Sequence, residues 1–111
     1  MKNCVLMILA TIVLTSGLGR IQYGDHTETW YNLPMNRCVQ RAQDMGIPCE
    51  YWVRDDGVKM FGQWVIVAAD KSIPYGTVVE TSRGIGIVLD YHETESNVYD
   101  LAVSWRKEGK K

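Results

Sequence analysis

A small, mainly β domain with one short inserted helix is the fold class that three features of this sequence predict. Trp64 to Ala69, Thr77 to Thr81 and Gly84 to Leu89 are apolar runs of strand length, rich in β-branched residues or alternating Gly with bulky aliphatics. The links between them carry turn chemistry. Pro74 and Gly76 lie in the first, and Ser82-Arg83-Gly84 suits a hairpin whose strands are antiparallel neighbours. The third feature is the placing of carboxylates: Asp70 directly follows the first run, Asp90 the third, and Asp100 stands inside a further alternating segment.

Taken in order, the chain opens with a pattern that predicts an export signal over residues 1–19. Lys2 supplies the positive start, Val5 to Leu14 the apolar core, and Thr15 to Gly19 the small residues for cleavage. An uncleaved N-terminal membrane anchor is the alternative, although the apolar run is shorter than the ~20 residues that span a bilayer. Arg20 to Asp25 reads as a linker. His26 to Leu33 predicts a strand with Thr27, Thr29 and Tyr31 on one face and Glu28 and Trp30 on the other, stopped by Pro34. Asn36 is a candidate N-cap for a helix over Arg37 to Met45, lined on one side by Cys38, Ala42 and Met45 and ended by Gly46. Glu50 to Arg54 predicts a short strand, Asp55-Asp56-Gly57 a turn, and Val58 to Phe61 the lead into the central runs. In Asn97 to Trp105, residues Tyr99, Leu101, Val103 and Trp105 share one strand face and leave Asp100 on the other with Val98 and Ala102.

Length and charge narrow the function classes. A chain of 111 residues is one domain, here expected over residues 26–105, with 106–111 a basic tail. A formal net charge of −1 argues against a nucleic-acid partner, which calls for a basic face. Gly84-Ile-Gly86 is only half of a dinucleotide fingerprint and reads as hairpin glycine. Of three cysteines, signal cleavage removes Cys4 and leaves Cys38 and Cys49, the parity of one disulfide in an oxidising compartment. Such a bond contributes on the order of 2–3 kcal/mol in the chain-entropy picture. The alternative is a nucleophilic Cys38 served by His26 or His92, and no cysteine-protease signature surrounds it. Zinc ligation by these cysteines and histidines lacks the usual short spacings, so no metal is expected.

The run Ala68-Ala-Asp-Lys-Ser-Ile-Pro-Tyr-Gly-Thr77, the strand ending at Asp90 and the Tyr99-Asp-Leu101 segment together resemble the three-aspartate ("3D") domain of bacterial and phage cell-wall proteins. Its relatives include lytic transglycosylases, rare lipoprotein A and expansin-like modules. The resemblance implies a small six-stranded double-psi β-barrel, with the helix as an insertion. It also implies a catalytic set of Asp70, Asp90 and Asp100, no metal or organic cofactor, and peptidoglycan or another wall carbohydrate as partner. In the related transglycosylases the aspartate of the Asp-Leu position acts alone, as acid on the bridging oxygen and then as base on the muramic 6-hydroxyl. Two-carboxylate hydrolysis works differently. Where the family has a glycine-rich loop, this chain has Tyr91-His-Glu-Thr-Glu-Ser-Asn97. A non-catalytic wall-binding or expansin-like module, or a structural cell-surface or phage protein, is therefore carried as the alternative. Saccharide sites are often paved with aromatic rings, and Tyr75 and Tyr91, beside the aspartate-bearing corners, are the expected substrate-binding residues together with His92. The mature protein is expected to be secreted, wall-associated, monomeric and without a membrane span.

Overall fold

The structure, a computed structural model, describes residues 19–93 and 95–108. Apart from Gly19, the expected export signal lies outside the described residues. Eight strands and one helix follow: β1 Ile21–Tyr23, β2 His26–Tyr31, α1 Asn36–Asp44, β3 Tyr51–Val53, β4 Lys59–Phe61, β5 Trp64–Ala69, β6 Val78–Thr81, β7 Gly84–Tyr91 and β8 Val98–Ala102. The domain is mainly β with one inserted helix, as the periodicity predicts. It has eight strands where six were expected, and no pair among the described strands closes the sheet into a barrel.

The sheet runs β1-β2-β8-β5-β4-β3, with β7 along the remaining edge of β5 and β6 outside β7. Strand β5 is the hub. Along one edge β7 runs parallel to it from Val65 to Ala69. Along the other, β4 pairs antiparallel with its start (Phe61 with Trp64, Met60 with Val65) and β8 with its end (Val67 with Leu101, Ala68 with Asp100). A strand so enclosed is covered on both faces, which is why it reads as a continuous apolar run. Ile66 enters one core cluster with Phe61, Ile87, Leu89, Ala102 and the helix residues Cys38, Val39 and Ala42. Val65, Val67 and Ala69 enter a second with Val58, Met60, Val88, Leu101 and Val103.

Several local expectations change. Arg20–Asp25 is no linker: Ile21–Tyr23 forms a hairpin with β2 (Tyr23 opposite His26) across Gly24-Asp25, with Gly24 at φ 60°. Asn36 is the first helical residue, and Met35 caps the helix without a side-chain bond. Met35 is buried, so the helix enters by inserting that side chain into the core. Met45 follows the last helical turn and is 55% exposed, while Val39 takes its expected place on the buried side. Asp55-Asp56-Gly57 turns β3 into β4, with Gly57 at φ 87° and the Arg54 N–H bonded to the Val58 carbonyl.

The expected Cys38–Cys49 disulfide is not formed. The Cys38 thiol points back along its own helix, donating to the Met35 carbonyl at 3.3 Å. Cys49 packs against Gly62, where an added Cβ would meet its sulfur at 2.9 Å. Both sulfurs are therefore held by their own surroundings in the core that α1 shares with the sheet.

Candidate active site

Two of the three aspartates meet across β5. Pairing sets Asp100 of β8 and Asp90 of β7 on opposite sides of the same residue, Ala68, and sets Thr29 of β2 beside Asp100. Thr29, Asp100, Ala68 and Asp90 thus form one row across four strands. A register shift makes this possible, because β5 and β7 pair evenly through Val67–Val88 and then skip Leu89, so that Ala68 faces Asp90. Leu89 stays in the helix-side core and Asp90 is re-aimed into the row, as bulges do. Ala68 contributes only a methyl between the two carboxyls.

The electrostatics of the row favour a proton carrier at Asp100. Burial pushes its carboxyl above the usual range, and the Asp90 charge adds to the rise. The Thr29 hydroxyl, His92 and Arg106 work against it. Thr29 Oγ1 donates to Asp100 Oδ1 at 2.8 Å, which fixes the carboxyl plane and leaves Oδ2 without a protein partner among the described residues. Asp90 Oδ1 accepts the Tyr91 N–H at 2.9 Å. Tyr31 completes the arrangement from β2. Its phenol is raised well above the ordinary tyrosine value, by burial first and then by the charges of Asp90, Cys38 and Asp100. The hydroxyl lies near Asp90 yet makes no hydrogen bond of full geometry, leaving a buried donor beside two carboxyls.

Asp70 is placed differently. It follows β5, and Oδ1 accepts the Ser72 N–H at 2.8 Å and also the Ser72 hydroxyl, an Asx turn that stabilises the corner. These bonds hold its solvent-facing carboxyl below the usual range, with Asn97 and His92 adding smaller contributions. His92 links the two regions. It lowers both Asp70 and Asp100, donates its backbone N–H to the Ala69 carbonyl at 3.0 Å and sets Nε2 2.7 Å from the Val98 carbonyl. A carbonyl only accepts, so Nε2 carries a proton.

Of the two tyrosines expected to offer open platforms, Tyr75 is tied down, and Tyr91 is half-buried beside it. Tyr75 donates its hydroxyl to the Cys38 carbonyl at 2.7 Å, lies under the Arg41 guanidinium at 4.4 Å and meets Tyr91 edge-on at 6.3 Å. Burial pushes its phenol up to about 12. The more exposed aromatic rings are Tyr51, Trp52 and Trp105. His26 does not serve Cys38: its Nε2 is 2.8 Å from Glu28 Oε2.

Comparison with protein-family models, with curated proteins and with solved structures gives no match. No helix among the described residues is long and apolar enough to cross a membrane.

Sequence reasoning finds Asp90 and Asp100 as strand carboxylates but passes over their setting. Thr29 and Tyr31 are assigned to one strand face without a partner, and Ala68 has no signal at all. The fully buried Glu28 is the clearest omission. Its bonds to His26 and to Ser82, fifty-four positions on, are invisible to local pattern.

Proposed function

We propose that this chain is a secreted, wall-associated protein that cleaves the glycan strands of peptidoglycan as a lytic transglycosylase, with Asp100 as the acid and base. One observation carries the reading: Asp100 is a mid-strand carboxyl raised by burial, oriented by Thr29 and set beside Asp90 across Ala68. A carboxyl raised by burial holds its proton to higher pH than an exposed one, which is the direction that protonation of a glycosidic oxygen needs. The likeness of residues 68–77, Asp90 and the Tyr99-Asp-Leu101 segment to the three-aspartate family supplies the substrate class, and the leader-like residues 1–19 supply the compartment.

In this mechanism Asp100 gives its proton to the bridging oxygen as the C1–O bond breaks. The resulting carboxylate then takes the proton of the muramic 6-hydroxyl, whose oxygen closes on C1. The product is a 1,6-anhydro sugar, no water is consumed, and Asp100 ends protonated as it began. The negative charge at Asp90 steadies positive charge developing at C1, and Asp70 holds the corner that carries Tyr75. No metal or organic cofactor takes part.

Purified peptidoglycan is incubated with the protein, and the products are read by mass spectrometry. Anhydromuramyl ends are expected, and Asp100→Asn lowers their yield by about two orders of magnitude or more while its melting transition survives. Reducing ends instead would indicate hydrolysis. Binding without release would indicate a non-cleaving wall-binding module, a reading favoured by the commitment of Asp70 to its own turn.

A further inference from the structure

On the sheet face opposite the carboxylate row, a cavity of about 210 Å³ is lined by Tyr23, Asp25, His26, Glu80 and Tyr99, among others. Its walls are aromatic. The His26 ring stands 4.4 Å from the Tyr99 ring and 5.8 Å from the Tyr23 ring, both tilted. Its rim is acidic, because Asp25 and Glu80 are exposed and no lysine or arginine is among the lining residues. The negative field is felt by the rings themselves. After burial, Glu80 and Glu28 raise the Tyr23 phenol, and Asp25 and Asp70 raise that of Tyr99.

The floor is built rather than incidental. His26 is 6% exposed and Glu28 fully buried, with His26 Nε2 2.8 Å from Glu28 Oε2 and the Ser82 N–H donating to the same oxygen at 2.9 Å. An ionised carboxylate only accepts, so Nε2 carries the shared proton. On the other side of the ring, Nδ1 stands 4.0 Å from the Asp25 carboxylate. The cavity therefore offers two ring walls and two carboxylates.

We infer that this cavity binds a primary alkylammonium group. Aromatic faces and carboxylates both attract an organic cation, and the carboxylates, as hydrogen-bond acceptors, add a preference for one that carries N–H donors. A metal ion is the wrong occupant: among the described residues no three His, Cys, Asp or Glu side chains gather as a ligand set. The site is independent of the Asp100 chemistry and does not depend on that reading.

The test uses the full chain with its tyrosine and histidine ring protons followed by NMR. The ligands are n-butylammonium, a capped Gly-Lys-Gly peptide, the matching norleucine peptide and tetramethylammonium. Saturable shifts of the Tyr23, Tyr99 and His26 rings are expected with the first two, and the tighter of them tells a free amine from a lysine side chain in a peptide. Tetramethylammonium binds more weakly and the norleucine peptide not at all. The double variant Asp25→Asn/Glu80→Gln, at two exposed positions, weakens binding about five-fold or more, and Tyr23→Leu weakens it about three-fold. Absence of saturable shifts with either primary amine overturns the proposal. So does norleucine or tetramethylammonium binding as tightly, or an unchanged affinity in the folded double variant.

Discussion

Thr29→Val isolates the bond that orients Asp100. Valine keeps the branched shape that a strand favours and removes only the hydroxyl, so the change is confined to the 2.8 Å contact with Asp100 Oδ1. A hydrogen bond to a charged group contributes about 1.5–3 kcal/mol and a neutral one about 0.5–1.5 kcal/mol. Because Asp100 is only partly buried, the lower part of the charged range applies, and a loss of about 1.5–2 kcal/mol is expected at pH 7. For a domain of this size that is a fall in Tm of about 6–15 °C. The pH dependence has a definite sign. Burial raises the folded-state pKa of Asp100, so its contribution favours folding below the unfolded carboxyl range and is lost as pH rises through the folded value. Thr29 opposes that rise. Removing it raises the folded value further, so the deficit is largest at pH 7 and shrinks to the neutral-bond level once Asp100 is protonated in both states. Urea titrations at pH 7 and near pH 3, on wild type, Thr29→Val, Asp100→Asn and the double variant, give the coupling directly. A deficit that is the same at both pH values, or a coupling indistinguishable from zero at pH 7, would refute the placing of this bond at the centre of the site.

Glu28→Gln strips the charge from a fully buried carboxylate that serves both His26 and Ser82, and a loss of about 2–4 kcal/mol is expected in urea unfolding; a loss below 1 kcal/mol would mean that the pair is not formed in solution. Gly57→Ala forces an L-residue to φ 87° and places its Cβ 2.6 Å from Trp105 Cδ1, so the β3–β4 turn loses about 1–3 kcal/mol, read from the melting transition. Asp56, held down to about 2 chiefly by its bond with Arg54, contributes stability above the unfolded carboxyl range that is lost as pH falls through that value. The pair is exposed, so Asp56→Asn costs under about 1 kcal/mol at pH 7, and the difference from wild type should shrink as melts are taken down toward pH 2.

The parts of the fold that are legible in the sequence are those whose own period determines them. Trp64–Ala69 and Gly84–Tyr91 are long enough for β-branched content to speak, and the Ser82-Arg83 hairpin follows from loop length alone. Ile21–Tyr23 and Lys59–Phe61 are three residues each, too short for alternation to register, and only the Gly24-Asp25 turn marks the first hairpin. Asp90 and Asp100 stand out because carboxylates are costly within strands. That they face one another depends on a skipped residue, Leu89, in a pairing between β5 and β7, and no local pattern encodes it. Glu28 was legible only as a polar residue on an alternating strand, which ordinarily means solvent, and its burial depends on a serine from a distant hairpin.

Strand β8 comes last in sequence among the described strands but lies at the middle of the sheet, parallel to β2 and antiparallel to β5. Until Val98–Ala102 has left the ribosome, β2 and the C-terminal half of β5 have no ladder partner on the edges that will face each other. The β1–β2 hairpin and the β3–β7 unit can form earlier, but β8 supplies the strand pairing that joins them. Joining these two parts must therefore wait for Val98–Ala102, and pairings of such long separation make for slow folding. A fragment ending before Val98 is accordingly two partial sheets with open apolar edges, prone to associate with other chains, and not a smaller version of the domain.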